Sequence, residues 1–156
     1  MIEAPEGDVL RITYICHAIG EAGHPALEEL GVRWEPLLLA AWASRENAHV
    51  VGPTRVGAAC SATSGRIYAG CNVEHRYRSH DVHAEVNAIT NMVALGEKDL
   101  LTIAIVAERD RFTPCGACLD WIFQFGGGAC VVAWQTRDRS VLTVTHAADL
   151  MPYYPT

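Results

Sequence analysis

The sequence predicts an α/β domain: a mixed five-stranded sheet with helices packed over its faces. Three observations predict it. Helical and extended patterns follow one another in the order α-β-β-α-β-α-β-β from about residue 35 onward. Two of the strands are joined by a short turn, which makes part of the sheet antiparallel. Leu101 to Ala107 is almost continuously apolar, as expected of a central strand buried on both faces.

The elements follow in chain order. Residues 1–33 are the least regular: Val9 to Ile15 alternates well enough for a strand and equally suits a short helix, and Pro25 to Leu30 reads as a helical turn closed by Gly31. Glu35 to Ala48 is helical, with Pro36 suited to a first turn and Leu38, Ala41, Trp42 and Arg45 sharing a face. Gly52-Pro53 breaks the chain there. Val56 to Ala62 and Ile67 to Asn72 form a hairpin about Thr63-Ser64-Gly65-Arg66. His83 to Leu95 is a helix with Val86, Ile89 and Val93 on one face, stopped by Gly96. After the central strand, Cys115 to Phe125 is another helix, entered through Pro114 and ended by Gly126-Gly127-Gly128. Strands Cys130 to Trp134 and Val141 to Thr145 and a short helix Ala147 to Met151 complete the chain.

Composition narrows the function classes. The 156 residues suit one domain with a single core, and 50% apolar with 19% charged content argues against long disorder. With 18 acidic and 12 basic side chains the formal charge is -6, which argues against a protein that coats nucleic acid. Met1 to Asp8 has neither the basic nor the apolar part of an export signal, and the longest apolar stretch, Leu37 to Ala43, is too short to cross a bilayer. The six cysteines (16, 60, 71, 115, 118 and 130) would allow three disulfides, but without an export signal reduced, buried or metal-bound thiols are expected. A soluble, cytoplasmic protein is the expectation.

Two short motifs carry chemistry: His83-Ala84-Glu85 at the start of one helix and Pro114-Cys115-Gly116-Ala117-Cys118 at the start of another. Alone, the first reads as a polar capping residue, and the second as buried cysteine or a redox pair. Together, one imidazole and two thiolates give Zn²⁺ three ligands and leave a fourth tetrahedral position for water. Glu85 stands two residues after the His, where a carboxylate reaches the water without coordinating the metal and relays its proton. The remaining His17, His24, His49 and His146 lack ligand spacing, and Cys16, Cys60, Cys71 and Cys130 lie in apolar patterns that suit a core.

The combined pattern His-x-Glu…Pro-Cys-x-x-Cys is the signature of zinc-dependent nucleobase deaminases, and the chain resembles the cytidine deaminase superfamily. The likeness runs from about Glu35 to the C-terminus and is strongest to free-nucleoside cytidine deaminases, blasticidin-S-deaminase-like proteins among them. Ala43-Ser44-Arg45-Glu46-Asn47-Ala48, Val56-Gly57-Ala58-Ala59, Gly70-Cys71-Asn72-Val73-Glu74, the eleven-residue step from Asn72 to His83 and Leu150-Met151-Pro152 carry it. The resemblance implies a three-layer α/β/α fold, with residues 1–33 as an extension packed on or near the core and 34–156 as the deaminase domain. It further implies that Asn72 and Glu74 hold sugar hydroxyls, that the Ala84 backbone reads the ring edge and that the Thr113 carbonyl accepts from the exocyclic amine. A homotetramer, with a dimer next, is implied as well.

The chain departs from that branch in two respects. First, His83-Ala84-Glu85 replaces the branch's Cys-Ala-Glu and is more similar to deoxycytidylate and tRNA-adenosine deaminases. Val86 and Leu119 stand where Arg usually follows the Glu and the second Cys. A charge count accounts for both changes, since zinc with two thiolates and a neutral imidazole is uncharged and has less need of neighbouring cations. Second, Thr54 occupies the place of a Phe that packs on the pyrimidine, and residues 75–81, His-Arg-Tyr-Arg-Ser-His-Asp, are bulkier and more basic than the family's segment. That loop is either solvated surface or a place where Arg76, Arg78 or His80 meets an anionic substituent.

The expected activity is hydrolytic deamination of cytidine, deoxycytidine or an analogue to the uracil nucleoside and ammonia. The alternative is another aminated heterocycle: a modified nucleoside, a nucleotide or a nucleoside antibiotic. Nucleic-acid base editing and a non-enzymatic zinc or redox role are weaker readings.

Overall fold

The computed structural model describes residues 10–15 and 27–155. Cys16, His17 and His24 lie outside them. The elements are β1 (Arg11–Tyr14), a 3₁₀ turn (Leu27–Leu30), α1 (Trp34–Arg45), β2 (Val56–Ala62), β3 (Ile67–Cys71), a second 3₁₀ turn (Arg78–His80), α2 (Ala84–Ala94), β4 (Leu100–Ala107), α3 (Gly116–Gly126), β5 (Val131–Gln135), β6 (Val141–His146) and α4 (Ala147–Leu150).

One sheet runs in the order β1-β6-β5-β4-β2-β3. β2 is antiparallel to both β3 and β4, β4 is parallel to β5, and β6 is antiparallel to β5. The sheet has six strands, which corrects the expected five. The sixth is Arg11–Tyr14, paired in parallel with Val141 to Val144 and tied at its ends by Arg11 N–H to the Ser140 carbonyl and Ile15 N–H to the Val144 carbonyl, both 2.8 Å. Four residues on a sheet edge carry too little pattern to be told from a helix, so only the pairing decides the state.

Alternation along the central strands sorts the core into two layers. Ile103 and Ile105 of β4 and Val132 and Trp134 of β5 face α2 and α3. Ala104 and Val106, with Val131 and Ala133, face the apolar side of α1: Trp34, Leu37, Leu38 and Ala41. Burying each such Ile contributes roughly 1.5–3 kcal/mol. The result is three layers, with α1 on one face and α2 and α3 on the other.

Two glycines let the helices approach the sheet. A Cβ on Gly57 would fall 2.0 Å from the Ala41 carbonyl oxygen, and one on Gly70 would fall 2.4 Å from the Ala88 nitrogen. α2 is further fixed to β3 by the Asn87 side-chain oxygen, which accepts from Cys71 N–H at 3.0 Å, and by the Asn91 amide, which donates to the Ala69 carbonyl at 2.8 Å. Both α2 and α3 therefore begin at one end of the sheet, beside the residues that follow β3 and β4.

Candidate active site

His83 and Cys115 are N-cap residues, each with extended backbone, at φ -76°, ψ 155° and φ -75°, ψ 165°. Each helix begins one residue later than its sequence pattern predicts; the difference matters because the N-cap carries the side chain clear of the helix barrel. Cys118 follows in the first turn of α3, its N–H donating to the Cys115 sulfur at 3.4 Å. The His83 Nδ1 lies 3.2 Å from the Cys118 sulfur and 3.4 Å from that of Cys115. All three donor atoms fall within 4.8 Å of one another, and among the described residues no other group of His, Cys or carboxylate side chains does so.

This donor set fits zinc. A tetrahedral zinc, about 2.3 Å from sulfur and 2.1 Å from nitrogen, sets those donors about 3.6 Å apart, close to the separations seen. The electrostatics also call for a cation. Burial pushes the Cys118 thiol up strongly, and the negative charges of Glu85 and Cys115 push it further, so a thiolate forms there only with a positive partner. Leu119 is buried and Val86 half-buried, so neither supplies that charge.

Glu85 is only 5% exposed. Its carboxyl is raised by burial, against the opposing pull of its own backbone N–H and of a hydrogen bond with Cys118. That bond sets the carboxylate against the cluster of His83, Cys115 and Cys118.

His83, Glu85 and Cys115 line a cavity of about 240 Å³ whose walls also include Thr54, Asn72, Glu74, Arg78, Asp81, Ala84, Arg109, Phe112 and Thr113. Asn72 is buried and braces the segment before β2: its Oδ1 accepts from Val56 N–H at 2.8 Å and its amide donates to the Thr54 carbonyl at 2.9 Å. One Glu74 oxygen accepts from Val51 and Gly52 N–H at 2.7 and 2.8 Å, and the other is 3.2 Å from Arg78. The Gly52 and Val51 amides and the Arg78 guanidinium hold its carboxyl below the usual carboxylate range.

The basic loop divides. Arg78 is in the wall, held between Glu74 and, at 2.8 Å, Asp81. Arg76 is outside the wall, with its guanidinium 5.1 Å from the Tyr77 ring centre. The Arg78 clamp has a sequence signal in the i–4 and i+3 spacing of its two carboxylates. Arg109 and Phe112 are wall residues that the sequence reading did not single out, and they carry no local signal, because only tertiary packing brings the loop after β4 to the cavity. Tyr154 stacks on Phe123 at 4.2 Å and donates to Asp120, while Tyr153 is exposed.

Residues 34–134 match the family model for the cytidine and deoxycytidylate deaminase zinc-binding region. The chain is 34% identical over 120 residues to a cytidine deaminase of Sporosarcina psychrophila, covering 76% of this chain and 88% of that one. Among solved structures it superposes on a cytidine deaminase of Burkholderia pseudomallei with a TM-score of 0.73 and 31% identity, over 78% of this chain and 98% of that one. A cytidine deaminase of Mycobacterium tuberculosis gives a TM-score of 0.68 at 26% identity, over 80% of this chain and 99% of that one.

Proposed function

The chain belongs to the cytidine and deoxycytidylate deaminase zinc-binding family, and from that premise we propose that it deaminates a cytosine nucleoside, cytidine or deoxycytidine or a close analogue, to the uracil nucleoside and ammonia. It is a zinc-dependent hydrolase acting on the C–N bond of a cyclic amidine. One observation carries the reading: His83, Cys115 and Cys118 converge where His83 and Cys115 line a cavity, with the buried Glu85 against Cys118.

In our assignment His83, Cys115 and Cys118 hold the zinc, which supplies a nucleophile at neutral pH by acidifying water. Glu85 accepts the proton of the attacking water at its carboxylate and delivers protons to the ring nitrogen and to the departing amine. The C4–O bond forms first, with one proton of the water passing to the ring nitrogen; the second then passes from the C4 hydroxyl to the exocyclic amine, the C4–N bond breaks, and ammonia leaves as the carbonyl forms. The Ala84 N–H belongs to a helix first turn, where it has no intrahelical acceptor, and is assigned to the ring edge. The Thr113 carbonyl is assigned to the exocyclic amine, and Asn72 and Glu74 to the sugar hydroxyls. Thr54 opens the place beside the ring, and Phe112, also in the cavity wall, is assigned the aromatic surface that Thr54 lacks. Arg78 is assigned to the sugar side, where it fixes the Glu74 carboxylate, whereas Arg76, exposed and outside the cavity wall, is assigned to the solvated face of that loop.

We place the enzyme in the cytoplasm as a homotetramer. The five described cysteines are free thiols, and no described helix is long and apolar enough to cross a membrane. Val51, Val73 and Tyr77, exposed beside the Glu74 loop, offer apolar surface for such an assembly to cover; light scattering reads its mass. The function itself is tested by conversion of cytidine to uridine by the purified protein, abolished by a zinc chelator and restored by added zinc.

A further inference from the structure

We propose that Arg109 selects a substrate carrying an anionic substituent on the 5′ side of its sugar, a phosphate or a carboxylate. The family spans both a nucleoside and a nucleotide, so membership does not decide this point. The charges in the cavity wall do.

Two guanidinium groups line the cavity, Arg78 and Arg109. Arg78 is neutralised within the protein, 3.2 Å from Glu74 and 2.8 Å from Asp81. The acids flanking Arg109 are also taken. Glu108 lies 3.0 Å from Arg139 and 3.8 Å from Arg45, and Asp110 lies 3.2 Å from Arg137. Among the described residues Arg109 has no carboxylate partner, although its backbone is fixed: its carbonyl accepts from Arg137 N–H at 3.0 Å. A pinned backbone, an exposed guanidinium without a carboxylate partner and a position in the cavity wall suit Arg109 to receive an anion. Elsewhere the chain is acidic, with a formal charge of -6, so long-range attraction would not hold an anion and a direct contact is required.

Position names the substituent. The inference rests on the assignment of Asn72 and Glu74 to the sugar hydroxyls. They stand on the loop after β3, whereas Arg109 stands on the loop after β4, so hydroxyls at one wall leave the 5′ carbon for the other.

The test compares wild type, Arg109→Gln and Arg109→Lys on cytidine, cytidine 5′-monophosphate and cytidine 5′-carboxylate, with Arg111→Gln as a control for net charge. Binding of uridine and uridine 5′-monophosphate to the zinc-loaded proteins is measured in parallel. Arg109→Gln should lower kcat/KM for the anionic substrates at least about tenfold more than for cytidine. Arg109→Lys should recover part of the loss, and Arg111→Gln should reproduce little of it. Wild type should bind uridine 5′-monophosphate more tightly than uridine, with an advantage that shrinks at high salt. The larger loss, on phosphate or on carboxylate, identifies the source of the anion. Equal effects on neutral and anionic substrates, or a wild type that binds the two products alike, would overturn the assignment. No uridine from cytidine would instead count against deamination, and the binding comparison would still decide the role of Arg109.

Discussion

Gly70 of β3 and Ala88 of α2 meet backbone against backbone, so close that a Cβ on the glycine would lie 2.4 Å from the Ala88 nitrogen. The contact sets α2, with His83 and Glu85 at its start, against the strand that runs on to Asn72 and Glu74. It therefore fixes the distance between the residues assigned to the metal and those assigned to the sugar.

Gly70→Ala should accordingly destabilise the fold by about 1–3 kcal/mol, the usual cost of forcing extra atoms into a packed core. Denaturant unfolding measures it. Because α2 must shift to make room, zinc affinity should fall as well; unchanged stability and affinity would show that the contact yields freely.

Glu74 anchors the Val51–Gly52 turn and Arg78 at once. Glu74→Ala should reduce kcat/KM for cytidine by about 10- to 100-fold, the range expected for losing a hydrogen bond to a charged group. Free cytosine, which has no hydroxyls to lose, should be a poor substrate for both proteins and change little. Steady-state rates on base and nucleoside separate the two, and an equal loss on both would show that Glu74 acts on the fold alone.

Acid stability depends on carboxylates away from the site. Glu97 accepts from Ser64 and from the Tyr68 hydroxyl, which hold its carboxyl below the usual range. Its folded pKa is thus below the unfolded value, about 4.3. The stability it contributes is fully present above that pH and lost as the pH falls through the folded pKa, because the unfolded chain takes up the proton first. Melting temperatures should fall below about pH 4.3, and Glu97→Gln should flatten part of the decline. Parallel curves for the two proteins would remove Glu97 from the account.

How much of this could be read from the residues alone differs from place to place. The starts of α2 and α3 were legible because ligand spacing, a proline and helix periodicity coincide there. β4 was legible because a strand buried on both faces is a continuous apolar run. β1 was not, since its four residues acquire their state from β6. In the site, the three residues assigned to the metal and Glu85 lie in two short motifs. Arg109 and Phe112 lie in an irregular loop whose place at the cavity depends on how β4 packs, and no local pattern encodes that. The pairing of Arg78 is present in the spacing of Glu74 and Asp81, but a loop rich in basic residues reads equally as solvated surface or as a site for anions.

The central claim is that Glu85 moves protons at a zinc held by His83, Cys115 and Cys118. Glu85→Gln tests it most directly, because the side chain keeps its size and is not assigned as a ligand. The measurement is the rate of uridine formation from cytidine by wild type and Glu85→Gln at equal, near-stoichiometric zinc content. The account predicts active wild type and a variant slower by at least about 10²–10⁴-fold; a variant within tenfold of wild type would contradict it.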